Sequence, residues 1–332
     1  MYEKFGQFID NKWHKSKDTY KVINPSTEET LGFASKASEI EVEKAIQSAS
    51  KGFLSWKNTQ AWERSNKIRK IADLIRKKKD DIAKWISLEV GKPFLQAQAE
   101  VIASADIFEW NAEETKRIYG QTVESRFRDT RVIINYQPVG VVAGLVPWNF
   151  PCILASRKIS TALGAGCSII CKPDVITPGS VMALIDIIKE VELPDGAVNM
   201  LSGDPSGISQ QLINSDIIKK ISITGSTRVG KLILKQAADK VQRVTMELSG
   251  HSPFIVHADA DIEKAVNMAI LAKYRNTGQV CISPSRFYIH ESKKNDFTER
   301  YVEETKKLKL GLGINKDTDL GPITTEKRIN EI

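Results

Sequence analysis

The stretch "GVVAGLVPWNFP", residues 140–151, is a nearly continuous apolar run that ends in asparagine, phenylalanine and proline. A short apolar run without alternation is typical of a strand that is buried on both faces, as in parallel sheets. A helical pattern follows from about Ile153 to Leu163, and strand and helix patterns then alternate along the chain. The stretch therefore predicts the first strand of a parallel sheet with helices packed on it.

This alternation continues to residue 249. The strand patterns "SIICKP", "AVNMLSG", "KISITG" and "RVTMELSG" are separated by helical patterns and by turns that contain glycine or proline. Repetition of this kind predicts a doubly wound, Rossmann-like α/β sheet. Such sheets bind ligands where the carboxyl ends of their strands meet, so we expect the site residues directly after these strands.

The residues before the alternation contain helices and a hairpin. Apolar residues recur at helical spacing from Arg64 to Val90, and a second helical stretch runs from Ala97 to about Tyr119. Residues 120–138 alternate like the two strands of a hairpin. The hairpin at 120–138 therefore divides the first unit into residues 1–119 and 139–249.

A second α/β unit begins at residue 250. Asp259 or Asp261 is placed to cap a helix, and the pattern "SRFYIHE" predicts a strand after the cysteine turn. The last residues, "TEKRINEI", have a helical pattern without a stop signal. We therefore expect a chain that is a fragment of a longer protein.

Composition and charge limit the possible function classes. The 332 residues are 41% hydrophobic and 27% charged, as in ordinary soluble proteins, and no apolar run approaches the ~20 residues of a membrane span. The four cysteines are irregularly spaced, which favours a reducing cytoplasm over a disulfide framework. The net charge of +7 would suit nucleic acid, but the lysines are scattered and "RKKKDD" ends in acids, which favours a solvated helix face.

The stretch "ITGSTRVGK", residues 223–231, is a strand, a glycine turn and the start of a helix. Gly225 allows a ligand to approach the backbone, Ser226 can cap the helix, and the helix N-terminus suits a phosphate. A plain turn between strand and helix would explain the stretch equally well. Lys172 follows another strand at the same edge, where it is either a ligand for an adenosine ribose or phosphate or an ordinary surface lysine.

Cys281 lies in the turn "NTGQVCISPSR", residues 276–286. Most free cysteines are small buried hydrophobic residues, and position alone does not distinguish that role from a catalytic one. Asn149 and Glu247, however, each stand at the end of a predicted strand. A thiol, an amide donor and a carboxylate beside a dinucleotide site together favour nucleophilic chemistry.

Motifs in register along essentially the whole chain resemble those of the aldehyde dehydrogenase superfamily. They are "PWNFP" (147–151), "KPDVITP" (172–178), "ITGSTRVG" (223–230), "MELSGHSP" (246–253) and "NTGQVC" (276–281). The resemblance implies the aldehyde dehydrogenase fold, with residues 1–119 and 139–249 as the dinucleotide-binding domain, residues 120–138 as a bridging hairpin and residues 250–332 as the N-terminal part of the catalytic domain. It also implies oxidation of an aldehyde to a carboxylic acid with NAD or NADP, through a cysteine thiohemiacetal and thioester.

The resemblance also implies catalytic roles. Cys281 is expected to be the nucleophile, the Asn149 amide and the Cys281 backbone N–H to hold the oxyanion, and Glu247 to activate water. Lys158 matches a lysine found beside the active site in the family, although a structural ion pair would explain it as well. No metal site is implied.

For the cofactor, the resemblance places Gly225 and Ser226 at the pyrophosphate and Lys172 at the adenosine ribose. The other residues expected to contact the cofactor are Pro147, Trp148, Val175 and Leu248. Val175 stands where NAD-preferring members often carry glutamate, so the choice between NAD and NADP stays open. Ser249 stands where the family usually has glycine, which would strain the backbone if φ were positive there.

Arg157 and Arg275 are expected to face the substrate tunnel, where two guanidinium groups would hold a carboxylate. This pair resembles the branch that oxidises succinate semialdehyde and 2-oxoglutarate semialdehyde. Either arginine could instead belong to the surface or an interface, and general aliphatic aldehydes are the alternative substrates.

The downstream Glu-x-Phe-Gly-Pro segment of the family is absent from the chain. We therefore expect little or no turnover from this polypeptide by itself, and an inactive dinucleotide-binding remnant is the alternative function. The hairpin at 120–138 resembles the family's oligomerisation hairpin, which implies a homodimer or homotetramer for the intact enzyme. No nucleic acid or membrane partner is expected.

Overall fold

The structure, a computed structural model, describes residues 2–332. The strands are β1 (Gln7–Ile9), β2 (Lys12–His14), β3 (Asp18–Ile23), β4 (Thr30–Lys36), β5 (Gln121–Glu124), β6 (Arg131–Ile134), β7 (Val141–Leu145), β8 (Ser168–Lys172), β9 (Val198–Met200), β10 (Ile218–Gly225), β11 (Arg243–Leu248), β12 (Ser252–Val256) and β13 (Pro284–Ile289).

Helices connect most of these strands. They are α1 (Glu39–Lys57), α2 (Ala61–Lys77), α3 (Lys79–Val90), α4 (Phe94–Thr115), α5 (Pro151–Gly164), α6 (Pro178–Lys189), α7 (Pro205–Asn214), α8 (Thr227–Ala238), α9 (Ile262–Tyr274), α10 (Lys294–Lys307) and α11 (Glu326–Glu331). None of the helices formed by residues 2–332 is both long and apolar enough to cross a lipid bilayer.

The central sheet has seven strands in the order β11-β10-β7-β8-β9-β1-β2. Strands β7 to β11 pair in parallel, which confirms the doubly wound α/β sheet expected from the alternating pattern. In the register of the sheet, Leu145 lies opposite both Lys172 and Ile223, and Gly225 lies opposite Leu248. The carboxyl ends of four neighbouring strands therefore meet at one edge.

Helices cover both faces of this sheet, because its central strands are apolar on both sides. Val142 and Ile169 face a core that includes residues of α2, α4, α5 and α6. Val141 and Ile170 face a second core with residues of α1, α7 and α8. Burial on both faces holds the strand ends rigidly, so the loops that follow them begin from fixed positions.

Two features of the first 90 residues differ from the expectation. The helical pattern from Arg64 to Val90 forms two helices rather than one, because the backbone at Lys78 (φ −105°, ψ 22°) leaves the helical region. Short strands near the N-terminus had no recognisable pattern. One of them, β1, adds to the main sheet antiparallel to β9, and Phe8 is fully buried there opposite Met200.

The remaining elements are a hairpin and a second α/β unit. Strands β5 and β6 pair antiparallel, and all their residues are exposed. Strands β12 and β13 pair in parallel and pack with α9 and α10 around a small core that contains Val256, Val266 and Phe297. Asp261, rather than Asp259, caps α9 by accepting the Lys264 N–H at 3.1 Å. The domain boundaries at 119, 138 and 249 stay predictions.

Candidate active site

A cavity of about 540 Å³ lies at the N-terminus of α8, where β10 ends. Gly225 and Ser226 line this cavity together with Pro147, Trp148 and Lys172. The Ser226 hydroxyl accepts the Val229 N–H at 3.3 Å, and nothing lies within 3.4 Å of the position that a Cβ at Gly225 would take. The backbone is therefore open to a ligand at this turn.

The helices α5 and α6 also begin at this edge, but buried carboxylates occupy their N-termini. Glu100 accepts the N–H groups of Cys152 and Ile153 at 3.0 and 3.2 Å. Glu89 accepts those of Gly179 and Ser180 at 2.6 and 2.8 Å. Because α8 has only the neutral Ser226 as its cap, its positive dipole end stays available to an anion.

Lys172 reaches this cavity from the end of β8. It is only 5% exposed, and its ammonium has no hydrogen-bond or ion-pair partner among residues 2–332. Burial lowers the pKa of Lys172, while the nearby Asp174 carboxylate opposes that shift. A buried cation without a protein acceptor is suited to a polar ligand group. Val175 is half-buried and does not line this cavity.

A second cavity, of about 730 Å³, shares Pro147, Trp148, Gly225 and Ser226 with the first. It extends along the strand ends to the cysteine turn. The further lining residues that matter for the chemistry are Asn149, Glu247, Leu248, Ser249 and Cys281. Ser249 has no positive φ angle, so it adds no backbone strain of the kind that glycine would relieve.

A third cavity, of about 580 Å³, lies on the other side of these residues. Asn149, Glu247 and Cys281 line it as they line the second cavity, and Arg157 and Arg275 line it as well. Apolar side chains complete its wall, namely Phe150, Ile153, Leu154 and Leu271. The structure therefore brings the thiol, the amide and the carboxylate to the boundary between two cavities, with both arginines on one side.

Hydrogen bonds join the cysteine turn to the end of β7. The Asn149 side-chain amide donates to the Gln279 carbonyl at 3.1 Å, and the Asn276 amide donates to the Asn149 carbonyl at 3.1 Å. The backbone of Asn276, Thr277 and Gly278 has φ angles of 50°, 55° and 75°. Two of these three left-handed residues are not glycine, a strained conformation that clusters at functional sites.

Cys281 differs from the other three cysteines in exposure. Cys152, Cys167 and Cys171 are buried, and burial raises the pKa of each thiol, to about 12 for Cys152 and Cys171. Cys281 is exposed to the cavities, and its backbone N–H has no acceptor among residues 2–332. It is therefore the exposed cysteine of the chain, with a free N–H beside its sulfur.

Lys158 lies behind Glu247, in a smaller cavity of about 450 Å³ that Arg157 and Glu247 also line. Its ammonium donates to the Ser222 hydroxyl at 3.1 Å. Burial lowers the pKa of Lys158 to about 8, although the charge of Glu247 raises it. Lys158 thus accompanies Glu247 but lines neither cavity that contains Cys281.

The residues that hold the site in place could not be predicted from the sequence. Lys92 and Glu100 are buried below the loop that carries Asn149. The Gln279 carbonyl accepts a hydrogen bond from the Asn149 side-chain amide. The stretch "VGKP", which contains Lys92, predicts only the end of a helix. No local signal marks Lys92 or Glu100, since both act through contacts with residues some fifty positions away.

Among residues 2–332, no group of three or more histidine, cysteine, aspartate or glutamate side chains is arranged to hold a metal ion. The titratable side chains of the site are instead spread along the cavity walls.

Comparison with known proteins gives consistent matches. The aldehyde dehydrogenase family profile matches residues 13–332. A glutarate-semialdehyde dehydrogenase of Pseudomonas putida is 37% identical over 98% of this chain and 68% of its own length. A succinate semialdehyde dehydrogenase of Acinetobacter baylyi is 38% identical over 94% of this chain and 64% of its own length. The chain thus spans about two thirds of the length of these relatives.

Solved structures match as closely. An NADP-dependent enzyme of E. coli superimposes with a TM-score of 0.97 at 34% identity, over 99% of this chain and 69% of that one. A point mutant of betaine aldehyde dehydrogenase from Staphylococcus aureus, determined with NAD+, gives 0.95 at 34% identity, over 99% and 67%. At these identities and scores the likeness extends beyond the general layout of the sheet.

Proposed function

Because the chain belongs to the aldehyde dehydrogenase family, we propose that it oxidises an aldehyde to a carboxylic acid through a covalent adduct on Cys281. The observation that carries this proposal is the convergence of Cys281, Asn149 and Glu247 on the same two cavities. Each of the three residues comes from a different part of the chain, and together they provide a nucleophile, an oxyanion donor and a base.

The residues at α8 fit NAD or NADP. The open N-terminus of α8 at Gly225 and Ser226 suits a pyrophosphate, and the unpartnered ammonium of Lys172 suits a ribose hydroxyl or phosphate in the same cavity. Trp148 lines both this cavity and the one that reaches Cys281, so a dinucleotide would extend from α8 towards the sulfur.

The first chemical step requires a nucleophile and donors for an oxyanion. The Cys281 thiolate attacks the aldehyde carbon, a carbon–sulfur bond forms, and the carbonyl oxygen becomes an oxyanion. The Asn149 amide has two N–H groups, of which one donates to Gln279, and the Cys281 backbone N–H is free. These two unused donors can stabilise the oxyanion, each contributing ~10²–10³ in rate.

Collapse of the oxyanion restores the carbonyl and leaves a thioester on Cys281 as hydride departs, and accepting that hydride is the chemistry that NAD or NADP supplies when bound. Glu247 then removes a proton from water, the water oxygen attacks the thioester carbon, and the carbon–sulfur bond breaks. The products are a carboxylic acid and the regenerated Cys281 thiolate, and Glu247 releases the proton that it took from water to the solvent. The Glu247 carboxylate forms no ion pair among residues 2–332, which leaves it available as a base.

We also propose a short aldehyde with a distal carboxylate, such as succinate semialdehyde, as substrate. Arg157 and Arg275 line the same cavity as Cys281, and apolar side chains lie among them. Guanidinium groups bind carboxylates by charge-assisted hydrogen bonds, while the apolar wall suits a short methylene chain. The relatives described above act, by their names, on glutarate and succinate semialdehydes. 2-Oxoglutarate semialdehyde and plain aliphatic aldehydes are the alternatives.

The further proposals concern assembly and location. The exposed apolar side chains of Val123, Val132 and Ile133 on the hairpin suit an interface between copies, in a homodimer or homotetramer. The free cysteines suit a cytoplasmic location. An inactive dinucleotide-binding remnant is not favoured, because the three side chains of the reaction centre are retained.

The test is to trap the adduct in a single turnover, because little or no steady-state turnover is expected from this polypeptide by itself. The protein is mixed with succinate semialdehyde and NAD+ or NADP+, reduced cofactor is followed by fluorescence, and the acid-quenched protein is digested for mass spectrometry. We expect reduced cofactor together with an acyl group on the Cys281 peptide, and neither in Cys281→Ser. Reduced cofactor without that acyl group, or equal turnover by Cys281→Ser, would contradict the proposal.

A further inference from the structure

Lys92 and Glu100 form an ion pair that is sealed inside the protein. The exposed fractions of the two side chains are 0% and 1%. Lys92 follows the left-handed Gly91 at the end of α3, and Glu100 lies in the second turn of α4. Burial of two charges is costly unless both are fully hydrogen-bonded, so the other contacts of the pair decide what it does.

Both members of the pair contact the loop that carries the oxyanion donor. The Lys92 ammonium donates to the Asn149 carbonyl at 2.9 Å and lies 3.6 Å from the centroid of the Phe150 ring. Glu100 accepts the N–H groups of Cys152 and Ile153, the first residues of α5. The ion pair therefore holds this loop from Asn149 to the start of α5, on both sides of Phe150.

The same contacts reach the cysteine turn. The Asn149 carbonyl also accepts the Asn276 amide at 3.1 Å, and the Asn276 backbone N–H donates to Gln96 of α4 at 2.8 Å. Helix α4 thus supports both the loop with Asn149 and the turn with Cys281. A rotation of the Asn149 peptide would move its side chain relative to the sulfur.

Glu89 provides an internal comparison. It is as buried as Glu100 and caps the start of α6 in the same way, through Gly179 and Ser180. Its remaining side-chain contacts are with the hydroxyls of Ser180 and Tyr2, and it has no cationic partner among residues 2–332. Glu89 therefore stabilises a helix N-terminus without a link to Asn149.

We infer that Lys92 and Glu100 are positioning residues for the reaction, and that they hold the Asn149 amide where the oxyanion forms. This inference rests on the function proposed above. Without the pair the loop would keep its fold through β7 and α5, but the Asn149 side chain would lose its fixed orientation. Misplacement of an oxyanion donor slows the formation of the adduct while leaving the thiol itself accessible.

The experiment compares Glu100→Gln and Lys92→Met with the matched control Glu89→Gln in the full chain. Each variant is measured for melting temperature, for the rate constant of Cys281 acylation by succinate semialdehyde with NAD+ or NADP+ present as the hydride acceptor, and for the rate of Cys281 alkylation by iodoacetamide. Alkylation displaces iodide at a saturated carbon and forms no oxyanion, so it reports the thiol alone.

We expect all three variants to have lower melting temperatures than the unsubstituted protein. Only Glu100→Gln and Lys92→Met should lower the rate constant of acylation, by ~10–100-fold, with the alkylation rate unchanged. If a single variant does not fold, the double variant K92M/E100Q, which leaves no unpaired charge, takes its place. The inference would be overturned if the acylation rate constant fell no more in Glu100→Gln and Lys92→Met than in Glu89→Gln. It would also be overturned if the alkylation rate fell as much as the acylation rate. Absence of acylation in the unsubstituted protein would instead overturn the proposed function.

Discussion

Two regions of different construction meet at the reaction centre. One is the edge of the main sheet, residues 140–249, where parallel strands buried on both faces place Asn149 and Glu247. The other is the turn around Cys281, residues 275–282, which follows α9 in a unit with a small core. The sheet edge is fixed by packing, whereas the turn is fixed by a few hydrogen bonds.

The difference indicates a division of tasks. Groups that stabilise developing charge act best when they are held before the reaction, and the sheet edge provides that rigidity. A nucleophile must be accessible to its substrate, and the turn keeps Cys281, the proposed nucleophile, exposed, while the buried Asn276 joins the turn to Asn149. Substitutions on the two sides should therefore fail in different ways.

The largest effect is expected at the sulfur. We expect Cys281→Ser to lower the rate of adduct formation by ~10³-fold or more, because a hydroxyl is a far weaker nucleophile than a thiolate. Cys167→Ser, a buried cysteine at the amino end of β8, is the matched control and should keep its acylation rate. Stopped-flow kinetics measure the acylation rate of both variants. Equal losses of rate in Cys281→Ser and Cys167→Ser would contradict the role assigned to the turn around Cys281.

The next effect belongs to the sheet edge. Asn149→Ala removes an oxyanion donor, and we expect kcat to fall ~10²–10³-fold with little change in KM. Alkylation of Cys281 by iodoacetamide should stay close to that of the unsubstituted protein. A large rise in KM at constant kcat would show that Asn149 binds the substrate rather than the transition state.

Substrate selection should depend on both regions, since Arg157 belongs to α5 and Arg275 precedes the cysteine turn. We expect Arg157→Met and Arg275→Met each to lower kcat/KM for succinate semialdehyde by ~10–100-fold through loss of charge-assisted hydrogen bonds. Activity with butanal, which has no carboxylate, serves as the control. Parallel losses with both aldehydes would argue against the proposed carboxylate site.

The smallest effect concerns pH. Burial lowers the pKa of Lys158 to about 8, so its amine is charged below that pH and neutral above it. A neutral amine beside Glu247 can accept the proton that Glu247 takes from water, and we expect thioester hydrolysis to rise a few-fold as the pH increases through about 8. Lys158→Met should lose this inflection. A profile in which the variant keeps it would assign the titration to another group.

Most of the sheet edge could be predicted from local patterns. Strands β7 and β8 are short apolar runs, β10 and β11 contain alternating apolar and polar residues, and glycine or proline turns follow all four. Residues at their carboxyl ends line two adjoining cavities in the structure. Cys281 was distinguishable only together with Asn149 and Glu247. The break at Lys78 and the strand β1 could not be anticipated, because α2 and α3 each pack against α4, and β1 is placed by pairing with β9.

The sequence alone determined the doubly wound fold, because that fold depends on residue types at short spacings that repeat along the chain, and it supplied the residue types on which the proposed chemistry rests. Only the tertiary structure showed why α8 stays open while α5 and α6 do not. The carboxylates that close them, Glu100 and Glu89, lie on other helices. The Lys92–Glu100 pair below Asn149 likewise emerged only from the folded chain. Burial and hydrogen bonding between distant segments, unlike local periodicity, leave no pattern in a single sequence.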